Sequence, residues 1–442
     1  MRSLNRLFFL SLLFLSLSFS SNAAFGQETR QKAEEKEVPA YSTTPTEIRP
    51  YRQFHGHYKL FFAEEQPFLG PGRDKEAPKG LKSVKIGFLG PLEGSYEAPL
   101  GRRMLQGAIL AIEDANREGG YNGIPFELVV RDDVGAWGTS SNKTVELNDE
   151  GVWAFLGAID GQSTHIALRV VLKIYLPFVT SGSTDPTLTE TRIPWYVRVN
   201  GDDRQMTYAL AKYVYDVKKH ERVAVLRVNN RYGRVGIGEF NAAARRLGKP
   251  ILIEQRFAVG DRDFTMQLEK IKKSSADAIV LWADAVEGGI IMKQMRAMGI
   301  TLPVYGNDRL VEKEFLEIAG KDAEGLVVTY PYNPDLPNPG HERFEQIYRE
   351  RYGEEAEWFA THAYDGMNLI IDAIRAAGLN KARIRDYLTS VGTYHGITGE
   401  IPFDETWNDV GPVALAELRD GKFHFFPSPL DVSWKIELTA HR

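Results

Sequence analysis

Two short loops rich in glycine and hydroxyl residues carry the clearest chemical signal in the sequence. The first is "GAIDGQST" at residues 157–164, and the second is "PFVTSGST" at residues 177–184. Each follows a short apolar run, so each is expected where a buried strand ends. Small residues let a ligand approach the backbone, and free N–H groups there favour an anion such as a carboxylate. The candidate contacts are Gly161, Gln162, Ser163, Gly182, Ser183 and Thr184.

Helix capping is the ordinary alternative for each of these hydroxyl groups, because Ser163 and Ser183 both precede helical patterns. For one hydroxyl, capping and ligand contact are equally good explanations. For two such loops close together, a ligand site explains the pattern better than capping alone.

The elements that must position the loops alternate between strands and helices. From Lys82 onward, apolar runs such as "VKIGFLGPL" and "FELVVRDD" are separated by helical patterns such as "RRMLQGAILAIEDANREGG". The alternation restarts after residue 200 and ends in β-hairpin material. Repeated βαβ units predict parallel sheets with helices on both faces. We therefore expect an α/β fold of two doubly wound, Rossmann-like lobes of similar size, with a cleft between the carboxyl edges of their sheets.

The first 81 residues differ from the rest of the chain. Residues 1–24 are predicted to be a signal peptide, because a basic start precedes a short apolar run and small residues. An N-terminal membrane anchor is the alternative. Residues 25–81 are predicted to form a linker and an irregular arm. His55 and His57 in this arm are too few to define a metal site, so we expect no metal and no cofactor.

Composition narrows the classes of function. Apolar residues make up 43% of the 442-residue chain, which is enough for large cores. The formal net charge of −5 argues against a nucleic-acid partner, since such proteins present basic surfaces. Cysteine is absent, which excludes thiol chemistry and cysteine-ligated metals.

A series of motifs resembles a known family in both order and spacing. They are "IGFLGPLEGSYEAPLGRRMLQGAILAIEDANREGG", "FELVVRDD", "FVTSGSTDPTLT", "NNRYGRVG", "AEGLVVTYPY" and "FATHAYDGMNLIIDAI". Together they are similar to the type I periplasmic solute-binding proteins of the Leu/Ile/Val and amide group. The resemblance covers about residues 82–420.

The resemblance implies an architecture and a setting. Two lobes would be joined by three crossovers, with residues 82–200 plus 333–400 in the N-terminal lobe and 201–332 plus 401–442 in the C-terminal lobe. Hinge closure would trap a small molecule, and an ABC permease in the inner membrane would receive it. The protein would be a soluble periplasmic monomer. A protein that presents its ligand to a membrane receptor is the alternative function.

The resemblance also implies roles for single residues. Gly182 and Thr184 match positions that hold the α-amino and α-carboxylate groups of a ligand. Tyr232 matches an aromatic residue that closes over the ligand from the second lobe, and Asp308 falls where an acid faces the ammonium group. Phe359 is placed in the side-chain pocket. Helix capping for Asp308 and simple packing for Tyr232 remain open.

Two positions depart from the family pattern. Gly161 stands where the family often has a hydroxyl, so that contact would have to come from the backbone, Gln162 or Ser163. Asp284 falls where the family often has a tyrosine, although a solvated loop carboxylate is an equal alternative.

The acids near the expected cleft predict a polar ligand. Asp160, Asp284 and Asp308 could all face it, and unpaired buried charge is strongly disfavoured. Either a protein cation such as Arg204 or Arg309 neutralises one of them, or the ligand carries positive charge or several hydroxyl groups. We expect a small polar or cationic amino acid, amide or amine rather than a branched aliphatic one.

An enzyme is the competing class of function. His165 and the nearby acids could suggest hydrolysis, but the sequence has neither a G-x-S-x-G elbow nor an H-E-x-x-H pair. His165 opens an apolar helix, where a packed or capping histidine is the ordinary explanation. We therefore expect no catalytic activity.

Overall fold

The computed structural model describes residues 70–430. The expected signal peptide, most of the arm with His55 and His57, and residues 431–442 lie outside the described residues. The described end of the arm, residues 70–81, contains no helix or strand. It binds the main body through Asn380, whose Nδ2 donates to the backbone oxygens of Gly72 at 2.8 Å and Lys75 at 3.0 Å.

The first sheet has five strands, which are all parallel, in the order β2-β1-β3-β4-β5. The strands are β1 Val84–Gly90, β2 Phe126–Asp132, β3 Phe155–Gly157, β4 Phe178–Thr180 and β5 Tyr196–Arg198. Four of them are short or almost continuously apolar and are buried on both faces, as is typical of parallel sheets.

The second sheet has seven strands in the order β14-β13-β10-β9-β8-β6-β7. The strands are β6 Val223–Val228, β7 Ile253–Phe257, β8 Ala278–Trp282, β9 Val304–Gly306, β10 Val327–Tyr330, β13 Ala414–Arg419 and β14 Lys422–Pro427. The first five are parallel, and the hairpin β13–β14 adds two antiparallel strands, so this sheet is the larger. A separate hairpin pairs β11 Thr393–Gly396 with β12 Gly399–Pro402.

Helices connect the parallel strands and cover the sheets. They are α1 Ala98–Arg117, α2 Trp137–Asp149, α3 Gly161–Ile174, α4 Thr187–Glu190, α5 Asp203–Lys212, α6 Arg231–Arg246, α7 Thr265–Lys273, α8 Ala285–Ala297, α9 Lys313–Ala319, α10 Pro339–Tyr352, α11 Trp358–Ala377 and α12 Lys381–Leu388. A π-helical turn at Tyr213–Val217 extends α5, and 3₁₀ turns occupy Asp308–Val311 and Gly320–Ala323.

The first sheet is covered by a helix from a distant part of the chain. Helix α11 packs along α1, and both contribute to the core on that sheet. A Cβ atom on Gly107 of α1 would lie 2.0 Å from the carbonyl oxygen of Ala360 in α11. The glycine therefore permits the close approach of the two helices.

The chain passes between the two sheets after β5, after β10 and between β12 and β13. These three crossovers confirm the predicted fold class of two Rossmann-like lobes. The expected lobe boundary at residue 400 falls inside β12, whose Ile401 packs into the core of the first lobe. Among residues 70–430, no helix is long and apolar enough to cross a membrane.

Candidate ligand-binding site

A small cavity lies where the carboxyl ends of the two parallel sheets meet. Its walls come from the connections after β3, β4 and β5 of the first lobe, and from α6 and the turn after β9 of the second. In this closed arrangement it has room for at most about one water molecule. It is lined by Ile159, Asp160, Gly161, Ser183, Thr184, Asp185, Asp203, Arg231, Tyr232, Val235 and Arg309.

The first lobe supplies buried hydroxyl groups without partners. The Oγ atoms of Ser163, Ser181 and Ser183 are buried and make no hydrogen bond among the described residues. Asp160 is the N-cap of α3, because its Oδ1 accepts from the backbone N–H groups of Gln162 at 2.7 Å and Ser163 at 3.1 Å. Of the three serines, Ser183 lines the cavity, so its hydroxyl is the one that a ligand in the cavity can reach directly.

An ion pair between the lobes explains the glycine at position 161. Arg231 of α6 donates through Nε to Asp185 Oδ2 at 2.7 Å, and its Nη2 lies 2.6 Å from the same oxygen. A Cβ atom on Gly161 would lie 2.5 Å from Asp185 Oδ2 and 2.9 Å from Arg231 Nε. The space of the hydroxyl expected in the family is thus taken by this ion pair.

Tyr232 and Asp308 meet on the second-lobe side of the cavity. The Tyr232 hydroxyl donates to Asp308 Oδ1 at 2.8 Å and accepts from Asn307 Nδ2 at 2.6 Å. Asp308 is buried and is the first residue of its 3₁₀ turn, whose N-cap residue is Asn307. The structure therefore favours a site position over helix capping for Asp308.

Asp284 is paired with a protein cation. Arg309 Nη1 donates to Asp284 Oδ1 at 2.6 Å and to Glu97 Oε1 at 2.9 Å, and Glu97 belongs to the loop after β1. Burial raises the pKa of Glu97, and the guanidinium of Arg309 opposes this rise. Of the two arginines that the sequence suggested, Arg309 is at the cavity. Arg204 instead pairs with Glu190 and Glu239.

Asp203 in the cavity wall and Asp308 beside Tyr232 are buried carboxyl groups that make no direct ion pair among the described residues. Asp203 opens α5 at the first crossover, is 1% exposed, and its Oδ1 lacks a hydrogen-bond partner. Oδ2 of Asp308 is also buried without a partner. Burial, followed by the nearby charge of Asp308, raises the pKa of Asp203 well above its usual value. Burial also raises the pKa of Asp308, although Arg309 opposes this.

Three residues expected at the ligand lie elsewhere. Phe359 is fully buried in the core of the first lobe, with its ring centroid 3.8 Å from that of Trp358, because α11 turns this face towards α1. Gln162 is exposed and lines an outer hollow beside Trp137. Gly182 lies behind the cavity wall, where an added Cβ would contact the backbone of Ala158.

The histidine considered for catalysis contacts a neighbouring threonine hydroxyl. His165 Nε2 lies 2.9 Å from the Thr187 hydroxyl, and burial lowers the pKa of the imidazole. Among residues 70–430, no group of three or more histidine, aspartate or glutamate side chains is arranged to hold a metal ion.

Sequence reasoning missed Glu97 and Asp203. Both follow the carboxyl end of a parallel strand, β1 and β5 respectively, which is the edge where ligands bind in such sheets. Their positions just after predicted strands could therefore have identified them as candidate site residues from the sequence.

Comparison with known proteins decides the family. A family model described as "Periplasmic binding protein" matches residues 83–422. The chain belongs to this family. The predicted resemblance is confirmed, and the members of the family are binding proteins rather than enzymes.

Individual relatives match this binding protein over most of their own length. It is 26% identical over 348 residues to "Leu/Ile/Val-binding protein homolog 2" of Brucella abortus (strain 2308), which covers 78% of this chain and 93% of the relative. It is 28% identical over 355 residues to an "Amino acid binding protein" of Pseudomonas aeruginosa, with the same two coverages.

Solved structures agree with the fold. LivJ of Streptococcus pneumoniae, a branched-chain amino acid transporter substrate-binding protein in complex with isoleucine, matches with a TM-score of 0.72 and 27% identity. The match covers 78% of this chain and 98% of LivJ. The leucine-binding protein LivK of Thermotoga maritima matches with a TM-score of 0.71 and 26% identity, covering 78% and 99% of the two chains.

Proposed function

We propose that this binding protein captures a small amino acid, amide or amine that carries a positive charge, and delivers it to an ABC importer. The relatives named for amino acids support the ligand class, and the LivJ and LivK likenesses support the importer. The leader-like residues 1–24 support a location in the periplasm. We expect the protein to act as a monomer.

The unpaired carboxyl groups of Asp203 and Asp308 carry the proposal. Asp203 comes from the crossover and lines the cavity, whereas Asp308 comes from the second lobe and is hydrogen-bonded to Tyr232 of the cavity wall. Two buried carboxyl groups that each have a free oxygen are costly to ionise. An ammonium group between them would supply hydrogen bonds to the free oxygens and neutralise charge. Ligand binding would therefore stabilise the closed state over the open one.

The hydroxyl groups on the first lobe would hold the other end of the ligand. Ser183 lines the cavity with a buried Oγ atom that has no partner, Thr184 lines the same wall, and the buried Oγ atom of Ser163 lies in the first turn of α3 next to Gly161 and Gln162. The N-terminus of α3 adds a favourable field for negative charge. The pocket thus suits an ammonium at one end and a carboxylate, amide or hydroxyl at the other. This polar lining is poorly suited to a branched aliphatic side chain.

A thermal-shift panel tests the ligand class. The mature protein would be melted with amino acids, amines, amides, polyols and small carboxylates. A ligand that binds only the native state stabilises it by about 2.7 kcal/mol at 100 times its Kd, so true ligands raise Tm with concentration. We expect the responses to be confined to cationic or polar amines. Responses to leucine, isoleucine or valine alone would contradict the proposed pocket.

Proton release on binding is the expected pH signature. The pKa values of Asp203 and Asp308 are raised in the closed cavity, and a cation between them would lower both. Starting from the closed, ligand-free protein, binding would therefore expel protons, and affinity would rise with pH through the raised range until the amine of the ligand loses its own proton. Calorimetry in buffers of different ionisation enthalpy measures the number released. A proton uptake, or affinity that grows as pH falls, would argue against the pair.

A further inference from the structure

The guanidinium group of Arg309 is enclosed at the boundary between the lobes. Its side chain is 3% exposed. The Nη1 atom donates to both Glu97 and Asp284, at 2.9 and 2.6 Å. The guanidinium carbon lies 3.9 Å from the centroid of the Tyr232 ring. Two carboxyl groups and one aromatic face therefore surround the cation.

The same three groups would recognise a cationic ligand. Carboxyl oxygens make short, strong hydrogen bonds to guanidinium and ammonium donors. An aromatic face adds electrostatic attraction for the cation, more so where water is excluded. Glu97 comes from the first lobe, whereas Asp284 and Tyr232 come from the second, so the enclosure is completed only by closure.

The position of Arg309 in the chain explains why its own side chain occupies this enclosure. Arg309 directly follows Asp308 in the same 3₁₀ turn. Its side chain thus begins beside the proposed ammonium site and reaches Glu97 of the opposite lobe. Its Nε is buried without a hydrogen-bond partner, which is a cost that the two ion pairs must offset.

We propose that Arg309 determines specificity by acting as a built-in ligand in a cation subsite formed by Glu97, Asp284 and the ring of Tyr232. The statement about ligand choice rests on the proposed function, since the subsite adjoins the Asp203–Asp308 pair. With the subsite filled, the cleft accepts one cationic group per ligand. A longer dication is excluded because its second charge would meet the guanidinium.

Emptying the subsite tests the proposal without the natural ligand. Arg309→Ala removes the guanidinium and leaves the three walls in place. Methylguanidinium is expected to raise the Tm of this variant by roughly 1–3 °C for each tenfold increase beyond its Kd. It is expected to leave the wild-type protein unchanged, and sodium chloride at equal ionic strength serves as the blank. Equal shifts in both proteins would overturn the proposal.

Two further variants separate the subsite from general effects. Glu97→Gln combined with Arg309→Ala removes one carboxylate, so rescue by methylguanidinium is expected to weaken roughly tenfold. Arg309→Met refills the space without charge and is expected to show no rescue. If methylguanidinium raised the Tm of either variant as much as it raises that of Arg309→Ala, it would bind outside the subsite.

Ligand choice gives an independent readout. Calorimetry would compare 1,4-diaminobutane with n-butylamine on wild-type protein and on Arg309→Ala, and the variant is expected to gain at least about tenfold in relative preference for the diamine. No gain would overturn the specificity role. If neither protein binds an amine but methylguanidinium still rescues the variant, the subsite stands and the proposed ligand class fails.

Arg309→Lys covers the case in which Arg309→Ala does not fold. The lysine keeps a cation in the subsite, so we expect neither a response to methylguanidinium nor a gain for the diamine. A gain in diamine preference with the lysine present would contradict exclusion by charge.

Discussion

Asp308→Asn is expected to weaken the binding of a cationic amine by roughly 10- to 100-fold, which corresponds to the loss of a hydrogen bond to a charged group. The amide keeps the size of the side chain and can still accept from the Tyr232 hydroxyl, which now lies 2.8 Å from Oδ1. What it removes is the negative charge beside the proposed ammonium site. Titration calorimetry with the best ligand of the panel measures the change.

A control variant must show that the weaker binding comes from the loss of a carboxylate at this position and not from the loss of any one negative charge. Asp74→Asn is the matched control, because Asp74 is exposed on the arm and far from the cavity walls. Its affinity is expected to equal that of the wild type. Asp203→Asn with Asp308→Asn completes a double-mutant cycle, and a coupling energy distinct from zero is expected if one ammonium contacts both. An unchanged affinity in Asp308→Asn would remove Asp308 from the site.

The lobes could be predicted because parallel sheets leave a strong pattern. Strands buried on both faces are short apolar runs, and each is followed by a helix with an apolar stripe, so β1 and α1 are recognisable from residues alone. The pairing of distant elements left no such pattern. The packing of α11 on α1, with its close approach at Gly107, was not predicted from the sequence.

The sequence predicted the acidic residues of the candidate site, but it did not predict the partners that they have in the structure. Asp284 and Asp308 were expected from the family resemblance. In the structure, Asp308 accepts a hydrogen bond from Tyr232 of the cavity wall, and Asp284 accepts one from Arg309. The sequence could not predict whether each carboxylate is paired with a cation, because this depends on which distant residues pack against it in the folded protein. Asp284 is neutralised by Arg309, which comes from another connection, whereas the free oxygen of Asp308 has no partner. Phe359 was misplaced because an apolar helical residue fits a pocket wall and a core equally well.

Closure of the cleft is secured by arginines that pair across the two lobes. Arg231 reaches Asp185, and Arg309 reaches Glu97. A third, Arg103 of α1, is 5% exposed and lies outside the cavity. It binds both oxygens of Glu314 at 2.8 and 2.9 Å on the second lobe. Each pair joins a residue of one lobe to a residue of the other. Each therefore stabilises the closed state and not only the fold of a single lobe.

Arg103→Met is expected to shift the protein towards the open state and to raise the apparent Kd for ligand by up to roughly 10- to 100-fold. The guanidinium also lies 3.4 Å from Glu312 and 3.3 Å from Glu357. Removing one partner of a buried ion pair costs about 3–5 kcal/mol, here divided between closure and folding. Small-angle scattering with and without ligand measures closure, and calorimetry measures affinity.

The pH dependence of ligand binding by Arg103→Met shows why the cleft opens in this variant. Burial raises the pKa of both Glu312 and Glu357, and Arg103 opposes the rise. Without the arginine, both would take up protons at higher pH than before, so the defect is expected to be largest at alkaline pH and to shrink as pH falls. Arg117→Met, on the same helix but 60% exposed, is the control and is expected to bind normally. A defect in Arg103→Met that does not vary with pH would show that lost packing, and not the stranded carboxylates, opens the cleft.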